Sequence, residues 1–229
     1  MGIFSLEHDR VAYWADLGFY VGAVLAVSAV LVCFAPHAQR LGLGALVAAG
    51  LASWSIVEYA LHRFVLHRLA PFAGWHARHH ERPNALIASP TPMSAALIVA
   101  LVFAPAWLLA GPWPAAAFTD GVTAGYLAYS LAHHATHHKR ATGPWASRRK
   151  RWHALHHHHA GPGCCYGVTS GFWDRVFGSA PVRRQPFRGP DRVECRHQIA
   201  RRHHRGASST DHVEHPGGDA VHDRHRITG

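Results

Sequence analysis

Fourteen histidines stand in four short clusters. They are His62-Arg-Phe-Val-Leu-His67, His76-Ala-Arg-His79-His80, His133-His134-Ala-Thr-His137-His138 and His153-Ala-Leu-His156-His157-His158-His159. On a helix, His76, His79 and His80 fall at i, i+3 and i+4, so one face presents three imidazoles. His153, His156 and His157 repeat that pattern, and His133 and His137 are one turn apart. His62 and His67 are five apart, about 140° around an α-helix, so they converge only at a distortion or a helix end. Neutral imidazole nitrogen suits iron, zinc and copper. Ten such ligands are too many for one ion and suit two. A ferritin-like di-iron site would instead need four glutamates and two Glu-x-x-His motifs. Before residue 181 the glutamates are Glu7, Glu58 and Glu81, and no Glu-x-x-His occurs. The clusters therefore predict a histidine-rich metal centre.

The elements that must hold these clusters are apolar. The 229 residues are 48% hydrophobic and 16% charged, against about 25% charged in an average soluble domain. Leu17 to Ala35 carries no charge, long enough for a membrane helix. Glu7, Asp9 and Asp16 precede it, so it reads as a retained span rather than a cleaved signal. Leu41 to Val57 is a second uncharged run, rich in Gly and Ala, and it leads into Glu58 and the first histidines. Met93–Ala110 and Ala115–Ala132 read as a third and fourth span joined by a turn at Gly111-Pro112-Trp113-Pro114. Trp107 and Trp113 are placed as interface anchors. Asp120 within the fourth run is either functional or reaches water near that turn.

Charge orients the spans. The turns at 36–40 and 111–114 hold only Arg40, whereas 62–82 holds four arginines and 139–151 six basic residues. The positive-inside rule puts both basic segments, the histidines and the chain ends in the cytoplasm. The net charge of +10 thus has a membrane explanation. No basic–aromatic interleaving supports nucleic-acid binding. Cys33, Cys164, Cys165 and Cys195 form no Cys-x-x-Cys and read as reduced thiols. Two parts are expected: residues 1–181 as the membrane domain, and 182–229 as a disordered basic, His-rich tail. In the tail, His215-Pro216-Gly217-Gly218 matches a haem-ligand signature but lacks apolar residues to enclose a haem.

Glu58-Tyr-Ala-Leu-His62 through His67, the His76 cluster, and Tyr129-Ser-Leu-Ala-His133 through His138 form an ordered series. His153-Ala-Leu-His156-His157 and Tyr166-Gly-Val-Thr-Ser-Gly-Phe-Trp-Asp-Arg-Val-Phe-Gly178 complete it. Over about residues 53–180 this series resembles the fatty acid hydroxylase branch of the membrane sterol desaturase/fatty acid hydroxylase superfamily. The resemblance implies an all-α integral membrane fold of about four transmembrane helices. A cytoplasmic helical cap would hold a dinuclear, non-haem iron site, with zinc as a substitute ion. Its implied ligands are His62, His67, His76, His79, His80, His133, His137, His153, His156 and His157. For the last five, the ring nitrogen turned away from the metal is expected to find an acceptor of its own. His134, His138, His158 and His159 are extra; a register shift of one would exchange His133/His137 for His134/His138, which otherwise stand behind the ligands.

The implied activity is hydroxylation of a lipid acyl chain with O₂. The chain has no Gly-x-Gly-x-x-Gly and no cysteine cluster, so electrons must come from outside, from a ferredoxin or a b-type cytochrome with its reductase. Within the superfamily, a carotenoid hydroxylase or a lipid desaturase is the alternative, though Gly167 to Asp174 favours the acyl-chain branch. A membrane metal-binding or transport protein is the reading from another class. Glu58, one turn before His62, either orients a ligand imidazole, pairs with Arg63 or caps a cluster. Asp174 and Trp173 are expected to close the fold. Tyr59, Tyr126 and Tyr129 line a tunnel or anchor helix ends.

Overall fold

The computed structural model describes residues 7–158 and 163–181. The expectations about the 182–229 tail, Cys195 and His159 lie outside them. The described residues are helical, with one isolated bridge between Glu7 and Ile87 and no strand. Eight α-helices follow in chain order: α1 (Arg10–Phe34), α2 (Arg40–Ala60), α3 (Phe72–Glu81), α4 (Thr91–Ile98), α5 (Ala104–Ala110), α6 (Pro112–His138), α7 (Gly143–His158) and α8 (Phe172–Val176). Asp9 starts α1 by accepting the Ala12 amide on Oδ1 at 2.8 Å, as an N-cap carboxylate does.

Two π-helical segments interrupt these helices, and each has a cause or a use. Leu61–Leu66 continues α2 with i→i+5 bonding. That winding brings residues five apart onto one side, and the His62 and His67 rings stand 5.2 Å apart. Val99–Phe103 joins α4 to α5 just before Pro105. Pro105 has no amide hydrogen and its ring would crowd the Leu101 carbonyl, so the helix loosens there rather than breaks.

Arg10–Phe34, His37–Leu66 and Thr91–Ala110 are long and apolar enough to cross a membrane. Their outward residues are bare: Leu25 is 64%, Leu101 70% and Leu108 89% exposed, a pattern that suits hydrocarbon rather than water. α6 has the length, 27 residues, but falls short in apolarity because Gly, Thr, Asp120 and four histidines dilute it. The turn expected over four residues is Gly111 alone, at φ +83°; Pro112 to Pro114 already form the first turn of α6. That is where prolines fit, since the first helical amides have no partner. Trp113 is therefore no free anchor. It packs on Leu31, Ala35, Leu43 and Ala117, which join α1, α2 and α6.

α2 and α6 form the central crossing, and glycines set its closeness. A Cβ on Gly121 would strike the Val47 carbonyl; one on Gly50 would strike the Phe118 carbonyl. Gly125, one turn beyond Gly121, lies under the Trp54 side chain. Small residues in this arrangement let two backbones touch, as packed membrane helices require. Asp120 is 4% exposed, so it does not reach water; it accepts the Ser28 hydroxyl of α1 at 2.7 Å. The crossing carries the π-segment of α2 and the last turns of α6, with their histidines, to the same end of the molecule.

Candidate metal centre

Four segments bring imidazoles to that end: the π-segment with the turn after it, α3, the last turns of α6, and α7. Ten histidines collect there in two groups of five. One holds His62, His67, His76, His80 and His156; the other holds His79, His133, His137, His153 and His157. Within each group the ligand atoms lie within 4.8 Å of one another. α3 divides its three imidazoles between the groups, and so does α7, so each of these helices spans both. The i, i+3, i+4 spacing does not build one shared site; it sends His79 to one group and His76 and His80 to the other.

The close approaches are all made by the same atom. His76 Nε2 lies 3.0 Å from the Nε2 of both His62 and His80, and His67 Nε2 lies 3.1 Å from that of His156. In the other group, His153 Nε2 lies 2.7 Å from His137 Nε2 and 3.1 Å from His157 Nε2, and His133 Nε2 lies 3.1 Å from His79 Nε2. The rings of His80 and His157 stack across the groups with centroids 4.2 Å apart.

These nitrogens are neutral. Burial first, and then the neighbouring imidazoles, push His67 down to about 4, His79 to about 3 and His157 to about 2. Burial also holds His76 and His153 well below the ordinary imidazole range. Five unprotonated nitrogens facing one another cannot all pair by hydrogen bonds, because each such pair needs a proton between its members. A cation satisfies all five at once. The residues therefore fit a metal ion in each group.

Among the described residues, hydrogen-bond partners are seen on the Nδ1 side of two of the ten. His62 Nδ1 lies 2.5 Å from the Tyr166 carbonyl and His156 Nδ1 lies 2.8 Å from the Cys164 carbonyl. Donation to these carbonyls fixes the tautomer and leaves each Nε2 as a lone pair. Among the described residues no acceptor stands behind His153 or His157. Nδ1 of both, and of His79, is buried without a hydrogen-bond partner among the described residues.

The strip bearing those two carbonyls is held by two carboxylates. Asp174, fully buried, accepts the amides of Tyr166 at 2.8 Å and Gly167 at 2.9 Å. It also accepts Trp152 Nε1 at 3.1 Å and Ser179 Oγ at 2.8 Å. Glu58, 3% exposed, accepts the amides of Val168 at 2.6 Å and Thr169 at 3.0 Å, and the Thr169 hydroxyl. Glu58 thus hydrogen-bonds neither an imidazole nor Arg63; it secures the strip that His62 leans on. Arg63 donates instead to the Tyr59 hydroxyl. Between the two carbonyls Cys165 stands at φ +61°, a left-handed backbone that a non-glycine residue keeps only when its surroundings hold it. Its amide donates to the Ser179 carbonyl at 3.0 Å.

The extra histidines sit elsewhere. His134 Nδ1 lies 3.2 Å from the Tyr13 hydroxyl, and the rings of His134 and His138 stack 4.5 Å apart on the α1 side of α6. Neither belongs to a five-histidine group, nor does His158, which is exposed. Tyr129 lies parallel to the His133 ring at 5.7 Å. Tyr129 and Tyr126 line a cavity of about 110 Å³ that reaches His76, His79 and His133, and so meets both groups. Tyr59 does not line it; its hydroxyl meets Ser179 Oγ at 2.9 Å. Leu17, Leu66, Phe72, Trp75 and Ile87 make the cavity largely apolar. Asp16 on α1 also lines it. In the sequence Asp16 stands out only as a charge ahead of the first span. Its place three residues after Tyr13 and four before Tyr20, on the buried face of α1, is the signal that could have found it.

Residues 47–179 match the family model described as fatty acid hydroxylase. The chain is 31% identical over 184 residues to the dihydroceramide fatty acyl 2-hydroxylase FAH2 of Arabidopsis thaliana, covering 75% of each protein. It is 33% identical over 145 residues to the ceramide very long chain fatty acid hydroxylase scs7 of Schizosaccharomyces pombe, covering 57% of this chain and 40% of that protein. Among solved structures it resembles full-length scs7p, of which only the hydroxylase domain is visible. The TM-score is 0.65 at 27% identity, over 76% of this chain and 69% of that one.

Proposed function

The chain belongs to the fatty acid hydroxylase family, and from that premise we propose that it is a membrane-bound, di-iron hydroxylase of lipid acyl chains. One observation carries the reading: an apolar cavity opens on two adjoining groups of five neutral imidazoles. His62, His67, His76, His80 and His156 would hold one iron, and His79, His133, His137, His153 and His157 the other, with zinc as a substitute. Bound there, the pair supplies O₂ activation and attack on an unactivated C–H bond, chemistry no side chain here offers. In sum, a C–H bond, O₂, two electrons and two protons give C–OH and water. The names of the relatives point to the carbon next to the acyl carbonyl as the one hydroxylated.

The chain's own residues bind, orient and keep the site dry. Leu17, Leu66 and Ile87 take the methylenes, and Trp75 and Phe72 close the wall beside His76. Tyr129, parallel to His133, restricts how deep the chain enters. α6 makes the fourth span, and the histidine end faces the cytoplasm, supported by the basic residues gathered there. Lys139, Arg140, Arg148 and Arg151 are exposed on that end and would steer an acidic electron donor, a ferredoxin or a small b-type cytochrome. Residues 182–229 would form a separate tail that supplies no ligand. The test is lipid profiling of cells that express the chain against cells that do not. Hydroxylated acyl chains are expected, lost when His153 is replaced by alanine. Identical lipid profiles at matched protein level, with donor and reductase co-expressed, would contradict the reading.

A further inference from the structure

The π-segment that ends α2 carries two arginines that the metal centre does not use. The guanidinium carbons of Arg63 and Arg68 lie 5.3 and 5.6 Å from the centroid of the same ring, Phe64. Arg63 also lies 5.8 Å from the Tyr59 ring and 5.7 Å from the Tyr166 ring. Its Nη1 donates to the Tyr59 hydroxyl and, at 3.4 Å, to the Phe177 carbonyl. Its Nε is buried without a partner among the described residues. Arg68 is exposed, and its guanidinium donates to no described residue. The ion pair found among the described residues joins Arg82 to Glu7, so neither Arg63 nor Arg68 meets a carboxylate there. Two like charges that share one ring repel, and an anion held by both would offset that cost.

Their place in the fold says which anion. Arg63 and Phe64 lie in the last turn of His37–Leu66, a segment long and apolar enough to cross a membrane, and Arg68 follows just beyond it. Arginines at the end of a span reach for the head-group layer. Ile56, Val57 and Leu61 leave an exposed apolar strip on the same segment. α8 lies against this stretch, with Trp173 Nε1 donating to Ser55 Oγ at 3.1 Å, and its Phe172, Val176 and the following Phe177 are exposed too. We propose that Arg63 and Arg68 hold the phosphate of an anionic membrane phospholipid whose acyl chains lie along Ile56, Val57 and Leu61. Guanidinium forks suit phosphate oxygens, and the nitrogen that Arg63 commits to Tyr59 fixes how its fork is turned. The site is apart from the cavity near the histidines, whose lining includes neither arginine. An acidic protein in water would reach the arginines but not the apolar strip, which belongs to the span. The bound lipid would steady the arm that carries two imidazoles, since His62 precedes Arg63 and His67 precedes Arg68.

Arg68 gives the cleaner variant, because it is exposed and its loss breaks no described hydrogen bond. The measurement is native mass spectrometry of the purified full chain, stripped of lipid in detergent. It is then titrated with dioleoyl phosphatidylglycerol, dioleoyl phosphatidylcholine or inorganic phosphate. The natural chain should bind phosphatidylglycerol at least about fivefold more tightly than phosphatidylcholine, the factor one basic residue contributes at an anionic membrane surface. Arg68→Gln should lose about fivefold of the phosphatidylglycerol affinity, and Arg68→Glu should no longer distinguish the two lipids. Arg78→Gln, at an exposed arginine of α3, should bind as the natural chain does. Equal uptake of both lipids by the natural chain would overturn the site. So would equal losses in Arg68→Gln and Arg78→Gln, which would make the effect one of overall charge. Displacement of the lipid by inorganic phosphate at equal concentration would make the pair a free-anion site and overturn the proposal. Displacement by an acidic ferredoxin would make it a protein-docking face and overturn it as well.

Discussion

Alanine at His137, His153 or His156 is expected to abolish hydroxylation, whereas alanine at His134, His138 or His158 should leave most of it. The contrast follows from position. The first three each put a ring nitrogen among four others within 4.8 Å; the last three lie outside both groups. Replacing a residue that merely orients a metal ligand costs about 10- to 100-fold in affinity or activity, so losing the ligand itself costs at least the upper end of that range. His134 is the informative control because it neighbours His133. Its ring packs on Tyr13 and Trp14 of α1, with centroids at 5.5 and 5.2 Å, so its loss affects packing rather than the metal groups. The check is hydroxylated-lipid formation at matched protein level. Loss in His134→Ala and His138→Ala with full activity in His133→Ala and His137→Ala would move the ligand register by one.

The second large effect is at a residue that touches no imidazole. Asp174→Ala strips the acceptor from four donors: the amides of Tyr166 and Gly167, the Trp152 indole and the Ser179 hydroxyl. Each buried donor left without a partner costs about 1–3 kcal/mol. Even two such losses are a large part of a typical stability of about 5–15 kcal/mol. The strip then no longer presents the Tyr166 and Cys164 carbonyls, and His62 and His156 lose the bonds that fix their tautomers. The unfolding temperature in detergent should fall by about ten degrees or more, or no folded protein should be recovered. In whatever folds, metal should be lost first from the group containing His62 and His156. Glu58→Gln keeps the shape and one acceptor oxygen, so its effect should be smaller in the same direction. An Asp174→Ala protein that unfolds and binds metal as the natural chain does would remove this strip from the account.

What the sequence revealed and what it hid divide along physical lines. The histidine clusters were legible because a metal needs particular side chains and a helix repeats them at fixed intervals. The distortion between His62 and His67 was legible as a need, since five residues do not close on an α-helix; that it is a π-segment was not. Which imidazole joins which group was hidden, because spacing along α3 and α7 fixes a face and not the partners across it. The carbonyls of Tyr166 and Cys164 carry no residue-type signature at all. Glu58 was misleading in a simple way: it lies one turn from His62, yet its partners Val168 and Thr169 are 110 and 111 positions away. Gly50, Gly121 and Gly125 read as small residues, but which backbone or side chain each one meets is settled only by the crossing of α2 on α6. Trp113 and Pro114 looked like a turn because proline marks both turns and helix starts, and only the Gly111 backbone decides between them.

The central claim, two ions held by ten imidazoles, is tested most directly by counting metal. The measurement is elemental analysis of the chain purified after removal of residues 182–229, so that none of the seven tail histidines contributes. The account predicts about two ions per chain, iron or its zinc substitute, the same as in the full-length protein. One ion per chain, or a count that falls when the tail is removed, would contradict it.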